Sequence, residues 1–357
     1  MLARCPLPWH RKLGFPTGIL EIDYLMDVFS FMLRRCAALL LFLTACVALR
    51  GQTCLTAGDM DEPTKTALIN TAQNYFQMVA GGDAASLRQN AIPSLAGDFS
   101  NVETAIKDNQ SSFSGMKGIP RSPFLLQADW PSGQDHSGEF LCGVFGPNGQ
   151  TAESAVFQIP NLPAGSYGIV TMDVGTGKGP FAVTFVLEKQ AGGWKLGGLY
   201  IKQLQAAGHD GNWFAQRARD FKAKGKNQSA WLYYQQAREL LVPVPFMSTQ
   251  ATDKLYDEAQ TVKPADVPPS TLVANGKTFN LTALFPLPVG NDMDLVVKYQ
   301  SPSVANTAQT FQDNMAVMKA LLAKYPELRD AFDGIVARAV EPSGRDYGSM
   351  QAMKAVQ

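Results

Sequence analysis

The sequence predicts an α+β protein in which helical and strand-forming segments follow one another along the chain. Apolar residues recur at helical spacing over residues 62–79. Short strands separated by turns rich in glycine and proline occupy residues 124–202, and helical spacing returns after residue 206. Hydrophobic residues make up 46% of the chain and charged residues 17%, so the chain can bury a sizeable core.

The first helices are predicted from the residues that begin and end them. Asp61 and Pro63 fit a helix start, where an acidic side chain and a proline are both favoured. One face of this helix carries apolar residues at Leu68, Ala72, Tyr75, Phe76 and Val79. Gly82 ends the helix, and Asp83 caps a second, short one. A third helix is predicted over 102–109.

The middle of the chain is predicted to form a mostly antiparallel sheet, because its strands are short and joined by tight turns. The predicted strands cover residues 124–128, 139–145, 154–159, 168–174, 181–189 and 194–202. Turn sequences between them include Pro147-Asn148-Gly149 and Pro163-Ala164-Gly165. We therefore expect one α+β domain over residues 54–205.

A helical segment over 206–262 is predicted to follow this domain. Its predicted helices cover residues 212–224, 229–241 and 248–260. Three prolines then indicate a linker over 263–277. A small α+β unit over 278–357 completes the chain. Its predicted elements are strands at 278–285, 294–299 and 335–340 and a helix at 307–325.

A signal peptide is predicted over residues 32–53. Two arginines precede an apolar run over 37–43, which is too short to cross a bilayer but is typical of an exported protein. Because this pattern resembles a complete N-terminus beginning at Met32, we expect residues 1–31 to be an extension from a start codon assigned too early. The protein is therefore expected outside the bacterial cytoplasm, in the periplasm or at the outer membrane.

Cys46 has two alternative fates. The stretch Leu43-Thr44-Ala45-Cys46 resembles a bacterial lipoprotein box, in which the cysteine would carry a lipid. That lipid would be the protein's one attachment to a membrane. Alternatively, cleavage near residues 51–53 discards Cys46 and releases a soluble protein.

Cys54 and Cys142 are the two cysteines that remain beyond the signal segment. In an oxidising compartment such a pair predicts one disulfide. The sequence has no zinc-binding spacing and no cofactor motif, so none is expected. Its 31 basic and 31 acidic residues balance, which argues against a nucleic-acid partner.

The order of helices and strands resembles that of the NTF2-like superfamily, a cone-shaped α+β fold. The resemblance covers residues 63–202 and rests on Tyr75-Phe76, Gly82-Asp83 and Trp194-Lys195-Leu196. It implies a cavity between the curved sheet and the helices, which the superfamily uses for isomerases, hydrolases and cyclases or for partner binding. As a whole, the chain resembles exported bacterial proteins of unassigned function.

Binding, without catalysis, is the leading functional prediction, and its ligand is a small apolar molecule or a protein partner. The first alternative is an NTF2-like enzyme whose acid or base is Asp135, His136 or Asp173. The second alternative is an assembly scaffold built on the helical hairpin. There, Trp231 and Tyr233 are two positions apart and cannot share one helix face, so one of them is expected to be exposed, as a candidate for contacting a partner, or to be covered by another domain.

Overall fold

The α+β class is confirmed by the computed structural model. The structure describes residues 51–131, 133, 136–145 and 149–356. The predicted extension, most of the signal segment, Cys46 and Asp135 lie outside these residues. Gln52–Gln357 forms one compact unit.

The helices of the described residues lie in two groups, one before and one after the central strands. The α-helices are α1 (Glu62–Gly81), α2 (Ala84–Gln89), α3 (Pro93–Gly97), α4 (Ser100–Phe113), α5 (Gly211–Ala223), α6 (Asn227–Leu241), α7 (Gln250–Gln260) and α8 (Thr307–Lys324). Short 3-10 helices cover Pro326–Asp330 and Met353–Ala355.

The strands are distributed among three principal sheets and one short ribbon. They are β1 (Gln52–Leu55), β2 (Ile119–Pro120), β3 (Phe124–Ala128), β4 (His136–Cys142), β5 (Ala155–Leu162), β6 (Gly165–Thr176), β7 (Gly179–Gln190), β8 (Gly193–Gln203), β9 (Gln205–Ala206), β10 (His209–Asp210), β11 (Met247–Thr249), β12 (Ser270–Ala274), β13 (Lys277–Val289), β14 (Asp292–Gln300), β15 (Gly334–Val340) and β16 (Asp346–Ala352).

The predicted caps of the first two helices are confirmed. Asp61 accepts a hydrogen bond from the backbone N–H of Thr64 at 2.8 Å, which satisfies one of the unpaired donors at the start of α1. The helix ends at Gly82, whose φ of 72° is a left-handed conformation that glycine adopts without strain. Asp83 then caps α2 by accepting from the N–H of Ser86 at 3.0 Å.

The first sheet has the strand order β1-β3-β6-β7-β8, and β2 pairs with β6 at its side. Its neighbouring strands are antiparallel, and α1 and α4 pack on one face. Alternate residues of β6 point to these helices, so Val170, Met172 and Val174 share a buried core with Phe76 of α1 and Phe113 of α4. The remaining positions of β6 therefore point to the opposite face.

The second sheet, of order β11-β5-β4, packs on that opposite face. Phe140 and Phe157 of the second sheet share a buried core with Tyr167 and Ile169 of β6. The sequence had predicted a single sheet here. The predicted strands exist, but β4 and β5 leave the first sheet and pair with β11, which lies almost ninety residues further along the chain.

The predicted disulfide is confirmed by the pairing of Cys54 with Cys142. Cys54 belongs to β1 at the edge of the first sheet, and Cys142 ends β4 of the second sheet. The bond therefore connects the two packed sheets covalently.

The third sheet has the order β12-β13-β14-β15-β16 and is covered on one face by α8 and by the α5–α6 hairpin. Only β14 and β15 run parallel in this sheet, because α8 connects them as a crossover helix. The buried residue Asn314 of α8 accepts a hydrogen bond from the hydroxyl of Tyr299 at 2.7 Å and donates to Ser349 at 2.9 Å.

Three element boundaries after residue 205 differ from the sequence prediction. The predicted linker over 263–277 contains β12, which pairs with β13 in register. The polar end of the chain, where no strand was predicted, contains β16, which pairs with β15. Its side chains show little of the alternation between apolar and polar residues that indicates a strand. The predicted helix at 248 begins at Gln250, because Met247–Thr249 pairs with β5 as a strand.

Candidate functional site

The space between the helices and the first sheet is filled by side chains. Leu68, Phe76 and Phe113 from the helices meet Phe185 and other apolar residues of the sheet, and all of them are buried. A Cβ atom at Gly168 would lie 2.2 Å from a methyl carbon of Leu68, so α1 packs directly against the bare backbone of β6. At these positions the cavity that the NTF2-like resemblance implies is occupied by core packing.

A cleft of about 1150 Å³ opens instead between the other face of the first sheet and the second sheet. We call it the inter-sheet cleft. Its apolar lining includes Ile92, Val156, Ile159, Val186, Phe246 and Met247. Its polar lining includes Gln158, Asn161, Glu188, Gln190, Arg238 and Ser248. A mainly apolar cleft with a few polar groups is typical of small-molecule sites.

The floor of the inter-sheet cleft is bare because two glycines lie side by side in β8. The register of β7 with β8 shifts at Val186, which places Gly197 and Gly198 at a β-bulge. A Cβ atom added to Gly198 would lie 3.4 Å from the Tyr200 ring and 3.5 Å from the Cβ of Val186. Both neighbours line the cleft, so a side chain at position 198 would project into it.

Two aromatic rings form one wall of the cleft. Tyr200 and Phe246 pack edge to face with their centroids 5.2 Å apart. Partial burial of its ring raises the pKa of Tyr200 above the ordinary value for a tyrosine. Sequence reasoning missed both residues, although the paired glycines in an otherwise regular strand do indicate a bulge or a close approach.

The open edge of β5 offers little opportunity for an added strand. The N–H of Gln158 donates to the carbonyl of Phe246 at 2.9 Å, which is the last such bond along this edge. The next residue facing the same way is Pro160, which has no N–H, and Asn161 has a positive φ of 52°. The cleft is therefore suited to side-chain packing against a ligand and not to strand addition.

The charged groups of the cleft make contacts within the protein. The Gln190 amide donates a hydrogen bond to the carboxylate of Glu188. Arg238 donates to the carbonyl of Thr252 at 3.2 Å, and its guanidinium lies 4.8 Å from the Tyr256 ring. These contacts hold the polar groups against the walls and leave the apolar floor accessible.

A second cleft, of about 510 Å³, is lined by residues of β11, the start of α7 and the segment before β3. Arg121 contributes to its lining and forms a bidentate ion pair with Asp173, with N–O distances from 2.6 to 3.0 Å. Asp173 was predicted as an acid or base inside the cone. It lies on the face of β6 that points away from α1, and its carboxylate is engaged by Arg121.

His136 lies at the start of β4 in the second sheet, where its ring is 5.3 Å from that of Trp130. It is exposed and belongs to a different sheet from Asp173. The structure therefore places His136 and Asp173 on strands of different sheets that do not pair with each other. The third acid or base candidate, Asp135, is outside the described residues.

The two aromatic candidates of the hairpin have different environments. Tyr233 is only 5% exposed, and its hydroxyl donates to the carbonyl of Ala331 at 2.5 Å. The Tyr233 ring therefore packs inside the protein, against Phe332 just beyond the 3-10 helix Pro326–Asp330, and its role in partner binding stays a prediction. Trp231 is half-buried, with the Lys263 ammonium 5.7 Å from its ring, and its role in partner binding stays a prediction.

Within the described ranges, no group of three or more His, Cys, Asp or Glu side chains is arranged to hold a metal ion. In the same part of the chain, no helix combines the length and apolarity that crossing a membrane requires.

Comparison of the chain with protein-family models, with curated proteins and with solved structures found no match.

Proposed function

We propose that this protein is a non-catalytic binding protein that holds a small apolar ligand in the inter-sheet cleft. The observation that carries the proposal is the cleft itself, with its volume of about 1150 Å³. This volume slightly exceeds the range of about 300–1,000 Å³ found for drug-sized ligands. An elongated apolar molecule would cover the glycine floor and contact the Tyr200–Phe246 wall.

The polar residues at the cleft walls support a role in orienting the ligand. Asn161 and Ser248 offer amide and hydroxyl groups beside the apolar floor, and Gln158, whose amide N–H donates to Glu139 at 3.2 Å, offers its amide oxygen. Such groups fix the orientation of a ligand whose affinity comes from buried apolar area. The Glu188 carboxylate is engaged by Gln190, so it serves in this proposal as part of the wall and not as a base.

Export supplies the context for this binding, and we include it in the proposal. The signal-like segment at 32–53 and the Cys54–Cys142 disulfide both fit an oxidising compartment. Mass analysis of the mature N-terminus from a bacterial host tests this part. A start near residues 51–54, or a lipidated Cys46, supports export, whereas an intact N-terminus retained in the cytoplasm contradicts it.

The binding proposal is tested by filling the floor of the cleft. Gly198→Leu places a side chain between Tyr200 and Val186, and Gly198 has no positive φ to oppose it. Titration with the apolar fluorophore N-phenyl-1-naphthylamine should show binding to the wild type. We expect at least tenfold weaker binding to Gly198→Leu, and a smaller loss for Gly198→Ala.

The matched control is Gly175→Leu, because Gly175 is exposed, has ordinary backbone geometry and has open space around its Cβ position. This variant should bind the fluorophore like the wild type. Thermal unfolding establishes that each variant is folded. Equal affinity of Gly198→Leu and wild type would contradict the location of the site.

A further inference from the structure

The two ends of the inter-sheet cleft carry different charged side chains. One end is marked by Glu188 of β7, which pairs with Lys195 of β8. Tyr200 lies further along β8, and the glycine floor at Gly197 and Gly198 lies between these two positions. At about 3.3 Å per residue, Lys195 and Tyr200 are separated by about 17 Å along the strand. The cleft is therefore long enough for a molecule whose two ends differ in chemistry.

Arg238 of α6 lies at the far end of this floor. The next residue, Glu239, forms an ion pair at 2.7 Å with Lys202, which is close to the end of β8. The Nε of Arg238 donates a hydrogen bond to the carbonyl of Thr252 at 3.2 Å, and its guanidinium lies 4.8 Å from the centre of the Tyr256 ring. These two contacts with α7 hold the guanidinium in place where it lines the cleft.

The charge of Arg238 has no acidic partner in the part of the chain that the structure describes. No ion pair there includes Arg238, and its Nη1 and Nη2 atoms have no hydrogen-bond acceptor among the same residues. Two acids of the same helices are engaged elsewhere, because Glu239 pairs with Lys202 and Glu258 pairs with Arg219 at 2.8 Å. A half-buried guanidinium with two unused nitrogens is suited to bind an anion in a bidentate manner.

The charge at the other end of the cleft already has partners. Glu188 accepts a hydrogen bond from the amide of Gln190. Because paired residues of neighbouring strands point to the same face, Lys195 presents its opposite charge beside Glu188. Among the described residues that line the cleft, Arg238 is therefore the charged group that lacks a counter-charge.

We infer that the ligand of the inter-sheet cleft is an anionic amphiphile, with one alkyl chain and a carboxylate or phosphate head group. The head group would accept hydrogen bonds from Nη1 and Nη2 of Arg238, and the chain would lie on the glycine floor against the Tyr200–Phe246 wall. A neutral ligand would instead displace water from Arg238 and leave its charge unpaired, which is unfavourable. This inference rests on the binding function proposed above and adds the chemical class of the ligand.

Competition with bound N-phenyl-1-naphthylamine at neutral pH tests the head group. Decanoate, decyl phosphate, decanol and decyltrimethylammonium share one alkyl chain and differ in their head groups. For the wild type, we expect the better of the two anions to bind about tenfold more tightly than decanol, because it gains charge-assisted hydrogen bonds. That anion identifies the head group as a carboxylate or a phosphate. Decyltrimethylammonium should bind no more tightly than decanol.

Arg238→Gln removes the charge and should bring the ratio of anion affinity to decanol affinity close to one. This ratio is the readout, because a change in the shape of the cleft would weaken the anion and decanol together and leave their ratio unchanged. Lys254→Gln is the matched control. It removes one positive charge from an exposed residue of α7 that does not line the inter-sheet cleft, so the ratio should stay at its wild-type value.

The results separate this inference from the binding function on which it rests. If the fluorophore does not bind the wild type, or binds Gly198→Leu equally well, the cleft is not the binding site and both proposals are wrong. If the fluorophore binds in the cleft but neither anion binds more tightly than decanol, only the present inference is overturned. An anion preference that survives Arg238→Gln would also overturn it.

Discussion

Breaking the Cys54–Cys142 disulfide should cost this protein a large fraction of its stability. The bond closes a loop across a sequence separation of 88 residues. Loop-closure entropy for a loop of this length gives about 4.6 kcal/mol at 25 °C, and measured losses for native disulfides are about 2–5 kcal/mol. We therefore expect reduction to lower the free energy of unfolding by about 2–5 kcal/mol.

Urea unfolding of the oxidised and reduced wild type measures this loss without changing the sequence. The Cys54→Ala/Cys142→Ala double variant is the matched control, because it removes the bond and leaves no buried thiol. It should unfold at a urea concentration close to that of the reduced wild type. If reduction and the double variant both leave the free energy of unfolding unchanged within about 0.5 kcal/mol, the bond does not constrain the unfolded chain as argued.

Three further predictions concern buried and paired polar groups. Tyr299→Phe leaves the buried side-chain oxygen of Asn314 without its donor and should cost about 1–3 kcal/mol in urea unfolding. Burial, and then two neighbouring aspartates, raise the pKa of Asp294. Its ionised form is therefore destabilising, so Asp294→Asn should raise the melting temperature at pH 7, and the gain should vanish as pH falls below the unfolded-state pKa of 3.8. A hydrogen bond from Arg345, and then a backbone N–H, lower the pKa of Glu341 from 4.5 to about 2. The stability that this pair contributes should be present above pH 4.5 and lost as pH falls toward 2, so melting curves of Glu341→Gln and wild type should converge over that window.

The helices were predictable because their signals are local. Asp61 and Asp83 cap the first two helices as the sequence predicts, since a side chain three residues from an unpaired N–H is sufficient for this contact. The long helix α8 was predicted over 307–325 and covers Thr307–Lys324. The cysteine pair was predictable from the signal-like segment and the count of remaining cysteines.

The division into sheets could not be predicted, because strand pairing depends on residues distant in sequence. β5 obeys the expected alternation, but nothing near it indicates that it pairs with Met247–Thr249. The paired segment is three residues long and immediately precedes a helix, so its own sequence carries only the helical signal. The strand β12 was missed in the same way, because its neighbouring prolines are typical of a linker.

The candidate cleft was missed for a related reason. Its walls come from β5, β7, β8 and the segment around Phe246, which no local pattern connects. The placement of Asp173, in contrast, was available from the sequence. Val170, Met172 and Val174 alternate with it, so a core-facing assignment for these three places Asp173 on the other face.

The binding account is tested most directly by identifying what the protein carries. The protein is purified under native conditions from a bacterial envelope, and any bound molecule is extracted and identified by mass spectrometry. Wild type and Gly175→Leu should both carry the same apolar molecule in near-stoichiometric amount, and Gly198→Leu should carry little of it. A wild-type protein without any bound molecule, or a Gly198→Leu variant that retains it in full, would contradict the assignment of the inter-sheet cleft as the binding site.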